Sequence, residues 1–149
     1  MTEDPEQLNT VCLLGSPRRG GKSDYLAQIF GRYAAEYGAQ VSQHALADLT
    51  YAGCQNLFRC KTDLTHCGLV DDLTPVLSEI ANAHVLMLAS PVYFTSVTGQ
   101  LKLAIDRFFS FFVPDYPTAT DKSRLGLARH VVLLQSQGEG EDRYGDLME

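Results

Sequence analysis

The chain has 149 residues, 45% of them apolar and 20% charged, with a formal net charge of −6. That length supports one compact domain with its own core, and that composition excludes a disordered chain. The acidic balance excludes an electrostatic footprint for nucleic acid or an anionic membrane surface, so a bound anion needs a local cluster of donors.

Residues 1–9 are polar and acidic and read as a frayed terminus. Residues 10–14 form a short apolar run closed by Gly15, the pattern of a buried parallel strand, with Cys12 a small buried hydrophobe inside it. Leu26, Ile29, Phe30, Tyr33 and Tyr37 recur at helical spacing, and Gly38 stands where a C-terminal cap is needed. Residues 41–45 alternate as a strand near a sheet edge does, and residues 53–70, without periodicity, read as a loop. Asp72 can cap a helix that carries Leu73, Val76, Leu77 and Ile80, with Pro75 tolerated in its first turn.

Residues 84–89 make a third apolar run, ended by Ser90 and Pro91. A third helix follows, with Leu101, Ala104, Ile105, Phe108 and Phe112 on one face. Residues 130–135 form a fourth strand and residues 136–140 a glycine-rich turn. Alternating strands and helices imply right-handed crossovers and a mostly parallel sheet covered on both faces, an α/β fold in three layers. Ligands of such sheets bind beyond the carboxyl ends of the strands, where the strand order reverses. The loops after strands one, three and four are therefore expected to line the site.

The first of these loops, residues 15–23, reads Gly-Ser-Pro-Arg-Arg-Gly-Gly-Lys-Ser. Glycines let backbone N–H groups approach an anion at a helix N-terminus, Ser16 and Ser23 offer hydroxyls, and Arg18 and Lys22 supply charge beside Gly21. A P-loop is a competing reading. Gly21, Lys22 and Ser23 fit that pattern, but Ser16 occupies its first glycine position and Pro17 removes an N–H. No later strand ends in an aspartate suited to magnesium.

The second loop and its helix carry Ser90-Pro91-Val92-Tyr93-Phe94, then Lys102, Asp106 and Arg107. Together with Gly-Ser-Pro-Arg near the start, this ordered pair resembles the NADPH-dependent FMN reductase family of flavodoxin-like proteins, from about Val11 to Gly138. The resemblance implies a flavodoxin-like parallel sheet of order 2-1-3-4, with the fifth strand usual in that fold missing, and FMN as cofactor with NAD(P)H as reductant. It places the FMN phosphate at Ser16, Arg18, Gly21, Lys22 and Ser23. The flavin ring falls against Pro91, Val92, Tyr93 and Phe94, with Ser136 and Gly138 closing the other side. No catalytic acid or base is expected, because the flavin carries the chemistry. Lys102, Asp106 and Arg107 read as structural or interface residues.

Without a leader, the expected compartment is the cytoplasm, where Cys12, Cys54, Cys60 and Cys67 stay reduced. Cys54, Cys60 and Cys67 resemble the cysteine loop of iron–sulfur flavoproteins in the same family, but Leu57 replaces the middle cysteine of the run and only three thiols remain where a cluster takes four. Zinc with His66 as fourth ligand is a further option. The expectation is free thiols and no metal, with Asp71 and Asp72 as helix N-terminal residues. Phe108, Phe109, Phe111 and Phe112 exceed what one sheet face requires, and the fourth strand offers an open edge. A homodimer or homotetramer is expected to cover them.

The leading functional expectation is an oxidoreductase passing electrons from NAD(P)H through FMN to a small acceptor, such as a quinone, nitro compound, flavin or metal ion. An electron-transfer flavoprotein, a P-loop nucleotide-binding protein and a cofactor-free interaction module stand as alternatives.

Overall fold

A computed structural model describes residues 8–125 and 129–138. In chain order the elements are β1 (Asn9–Leu14), α1 (Lys22–Glu36), β2 (Gln40–Ala45), α2 (Arg59–Thr62), α3 (Leu73–Asn82), β3 (Val85–Pro91), α4 (Gly99–Asp106) and β4 (His130–Ser136). The four strands form one parallel sheet of order β2-β1-β3-β4, as expected. The order reverses between β1 and β3, whose register pairs Leu14 with Ala89. Asn9 is already paired inside β1, and the Gln40 N–H donates to the Leu8 carbonyl at 2.8 Å, so the ordered chain starts earlier than residue 10. Residues 1–7 of the expected frayed terminus, and residues 139–140 of the glycine-rich turn, lie outside the described residues.

Alternation along β1 divides the core in two. Val11 and Leu13 face α3 and α4, joining Leu73, Val76, Leu77, Ile80, Leu88, Leu101 and Ala104. Cys12 and Leu14 face α1, with Ala27, Met87 and Ala89. Each fully buried leucine or methionine here is worth about 1.5–3 kcal/mol relative to exposure.

The helix α1 corrects the sequence reading. Its buried residues are Ser23, Asp24, Ala27 and Gly31, whereas Leu26, Tyr33 and Tyr37 are exposed. Close approach explains the choice of face: a Cβ on Gly31 would lie 2.4 Å from Gln43 Nε2 of β2. Small residues let the helix sit down on the sheet; of the bulky stripe, Phe30 packs half-buried against that core and Ile29 is half-buried, while Leu26, Tyr33 and Tyr37 are left outside. Gly38 does cap the helix, at φ +90°, with its N–H bonded to Ala35 and that of Ala39 to Ala34.

Three smaller differences follow from hydrogen bonding. Inside the expected loop, residues 59–62 form α2. Asp72 makes no capping bond; Asp71 Oδ1 accepts the Leu73 N–H at 3.2 Å instead. The third helix stops being α-helical after Asp106 and tightens into a 3-10 turn over Arg107–Phe111. That turn rotates the aromatic run: Phe108 and Phe111 pack against the core, while Phe109 and Phe112 turn to Tyr116 at 5.4 and 5.8 Å. Phe58 meets Phe109 edge-on at 6.0 Å and Lys61 Nζ sits 4.2 Å over the same ring. Much of the aromatic excess is thus satisfied within the chain, and Phe112 remains exposed.

Candidate functional site at the carboxyl ends of the strands

Three loops distant in sequence converge beyond β1, β3 and β4. They enclose a cleft of about 280 Å³ lined by Ser16, Arg18, Gly21, Lys22, Ser23, Pro91, Val92, Tyr93, Ser136, Gln137 and Gly138. Ten of the eleven cofactor-site residues named from the sequence line it. Phe94 does not: it stands at the tip of its loop, fully exposed.

The first loop is shaped by its own side chains. Ser16 Oγ donates to the Arg18 carbonyl at 2.7 Å and accepts the Arg18 N–H at 3.2 Å. Gly20 adopts φ +71°, and its N–H donates to Asp24 Oδ2 at 2.9 Å. Gly21, in extended conformation, precedes the helix. The N–H groups of Lys22, Ser23 and Asp24 at the start of α1 have no acceptor among the described residues, as the first turn of a helix requires. Arg19 turns away to Asp48 at 3.7 Å, an exposed pair, which leaves Arg18 and Lys22 as the cations on the cleft.

The loop after β3 turns back on itself. Tyr93 and Ser96 exchange backbone hydrogen bonds of 2.8 and 3.0 Å around Phe94 and Thr95, both at positive φ, 47° and 63°. This is the geometry of a tight hairpin turn that ordinarily takes glycine or asparagine. The Val92 N–H donates to the Ser136 carbonyl at 2.9 Å. The N–H groups of Val92 and Tyr93 are therefore committed, while those of Phe94 and Thr95 at the turn tip have no acceptor among the described residues.

A buried junction fixes these loops to each other. The Thr98 N–H donates to Ser90 Oγ at 3.0 Å, and the Gly15 N–H to the Ala89 carbonyl at 2.7 Å. A Cβ on Gly15 would meet Leu101 Cβ at 2.8 Å, so only glycine lets α4 approach the end of β1 this closely. Asp24 and Thr98 have no place in the sequence reading, and Ser90 enters it only as the end of the third apolar run and the start of the Ser-Pro-x-Tyr motif. The available signal was polarity at positions the helical and strand periods place inside.

Residues 8–140 match the profile of the family described as NADPH-dependent FMN reductase. The chain belongs to that family. It is 32% identical over 100 residues to an iron–sulfur flavoprotein of Methanocaldococcus jannaschii, covering 67% of this chain and 51% of the relative. It is also 32% identical over 97 residues to a provisionally named NAD(P)H-dependent FMN-containing oxidoreductase of Bacillus subtilis, covering 63% and 48%. The chain thus spans about half the length of these curated relatives. Among solved structures, an NAD(P)H:quinone oxidoreductase from Methanothermobacter marburgensis superposes with a TM-score of 0.71 at 17% identity, covering 94% of this chain and 69% of that one. An FMN-dependent NADH-azoreductase from Bacillus anthracis, in complex with FMN, gives 0.66 at 16% identity, covering 93% and 75%. These two likenesses establish the flavodoxin-like fold. No helix among the described residues is long and apolar enough to cross a membrane.

The residues present fit FMN. The free N–H groups of the α1 first turn, with Arg18 and Lys22, are donors of the kind a phosphate takes, and the same cleft is lined by Tyr93 and Gly138. The cysteines do not fit a four-iron cluster. Cys54, Cys60 and Cys67 border a cavity of about 20 Å³, and the fourth thiol, Cys12, is buried in β1. Arg107, 1% exposed, donates from Nε to Cys67 Sγ at 2.9 Å and pairs with Asp71 at 2.7 Å, so a cation stands against one of the three sulfurs. No cluster of three or more His, Cys, Asp or Glu side chains able to hold a metal is present among the described residues, which applies equally to zinc at His66 and Cys67. Arg107 is structural, as expected, and more deeply so than helix spacing suggests. Its Nη1 and Nη2 also donate to the Ala52 and Leu69 carbonyls, closing the cysteine loop.

Proposed function

We propose that this chain binds FMN in the cleft and serves as an NAD(P)H-dependent oxidoreductase, passing electrons to a small acceptor such as a quinone, nitro compound, flavin or metal ion. The observation that carries the reading is the convergence of residues 16–23, 91–93 and 136–138 on one cleft beside an uncapped helix N-terminus. The N–H groups of Lys22, Ser23 and Asp24 would donate to the phosphate, with Arg18 and Lys22 neutralising its charge. Ser16 keeps the loop's entry fixed. Tyr93 offers a flat face to the ring system, the turn-tip amides of Phe94 and Thr95 reach toward its polar edge, and Ser136 and Gly138 bound the far side. When bound, FMN supplies hydride acceptance and onward electron transfer.

The cytoplasm is the proposed compartment, and a homodimer or homotetramer the proposed assembly. Exposed Phe112, Val131 and Leu133 supply apolar surface for it. Gel filtration at micromolar concentration checks that assembly, and a monomer contradicts it. Activity is tested by loading the chain with FMN, desalting, and adding NADH or NADPH without oxygen. Bleaching of the flavin band, reversed by a quinone, supports the reading, and a chain that retains no flavin opposes it.

A further inference from the structure

Asp24 sits in the first turn of α1, 3% exposed, in the row of small buried residues Ser23, Ala27 and Gly31. Alanine would pack in that row without desolvating a carboxylate. Asp24 instead buries an acidic group directly under a basic, anion-binding loop, where its charge opposes a phosphate. Its Oδ1 has no hydrogen-bond partner among the described residues. Burial of a half-satisfied carboxylate is unfavourable. What it obtains is the positive end of the α1 dipole and one bond, from the Gly20 N–H to Oδ2 at 2.9 Å, at the residue where the loop reverses with φ +71°.

We infer that Asp24 is the positioning residue that makes the cleft select a phosphomonoester, FMN over riboflavin. Its Oδ2 pins Gly20, and the pinned turn leaves the N–H groups of Lys22, Ser23 and Asp24 open toward the phosphate. The acceptor oxygen matters; the negative charge does not. The inference rests on the cleft being the FMN site and adds the residue that sets its ligand preference.

The test compares wild type, Asp24→Asn and Asp24→Ala by titration with FMN and with riboflavin, alongside hydrogen exchange of the Gly20 amide in the ligand-free chain. Asparagine keeps an acceptor and removes the charge, so it keeps Gly20 protected and binds FMN as tightly as wild type or more tightly. Alanine exposes the Gly20 amide to exchange and weakens FMN binding about tenfold or more, with riboflavin affinity unchanged. Equal weakening toward both ligands, or an alanine variant with wild-type FMN affinity, overturns the inference. So does unaltered exchange at Gly20. Should wild type bind neither ligand while alanine still unprotects Gly20, the loop-holding role stands and the FMN reading falls.

Discussion

The Thr98 hydroxyl donates to the Gly15 carbonyl at 2.6 Å and accepts the Leu101 N–H at 3.3 Å. One fully buried oxygen therefore ties the end of β1 to the first turn of α4, and with them two of the three loops around the cleft. Thr98→Val preserves shape but strands both backbone partners, and is expected to cost about 1–3 kcal/mol of stability. Thr98→Ser keeps both bonds and stays close to wild type. Urea denaturation of the two variants makes the comparison.

The Arg107–Asp71 pair joins a fully buried guanidinium to a partly buried carboxylate. Arg107→Met leaves the Asp71 carboxylate without its cation and the Ala52 and Leu69 carbonyls without their donor, and is expected to lose about 3–5 kcal/mol; adding Asp71→Leu does not restore it, because the Ala52 and Leu73 amides then lose their acceptor. Burial alone pushes the Asp71 carboxyl up, but hydrogen bonds from Arg107 and the Ala52 amide outweigh it and hold the group below the ordinary carboxylate range. A depressed folded pKa gives stability that is complete above the unfolded value of about 4 and is lost as pH falls through the folded one. Urea midpoints of wild type should therefore fall more as the pH is lowered from about 5 than those of Asp71→Asn.

The thiols should separate sharply in reactivity. Burial pushes the Cys12 thiol up to about 11, which removes the thiolate at neutral pH. Cys54 is exposed. Alkylation of the native chain followed by mass spectrometry should label Cys54 first and leave Cys12 unlabelled until denaturation. Anaerobic reconstitution with iron and sulfide should leave no stoichiometric iron after desalting; about four irons per chain would contradict the misfit of the cysteine loop.

Strain at the hairpin tip can be separated from its use. Phe94 and Thr95 hold φ values that favour asparagine and glycine. Replacing them by Asn and Gly should raise stability by about 1–3 kcal/mol. If Phe94 supports the flavin, FMN affinity falls in the same variant. A gain in both quantities would make Phe94 an ornament of the turn and remove it from the site.

The four strands and the three site loops were legible because a doubly covered parallel sheet writes short apolar runs, and the glycine- and proline-bearing turns punctuate them; the order of the strands came from the family resemblance. Family resemblance added the cofactor. The face of α1 was not legible, since Leu26, Tyr33 and Tyr37 form the stronger apolar stripe while Ala27 and Gly31 are buried for their size. Local spacing carries no information on how closely two backbones approach. Arg107 was read from its spacing to nearby charges on one helix, whereas its carboxylate lies on Asp71 in another loop. Asp24 was hidden for a related reason: its partner is a backbone amide four residues back.

Binding at the cleft is tested most directly by titrating FMN into the 15N-labelled chain and following the backbone amides. Shifts should concentrate at Ser16, Lys22, Ser23, Asp24, Tyr93, Phe94, Thr95 and Gly138, with Cys54, Cys60 and Cys67 unmoved. Shifts centred on the cysteine loop, or no shifts at saturating FMN, would contradict a flavin site between these three loops.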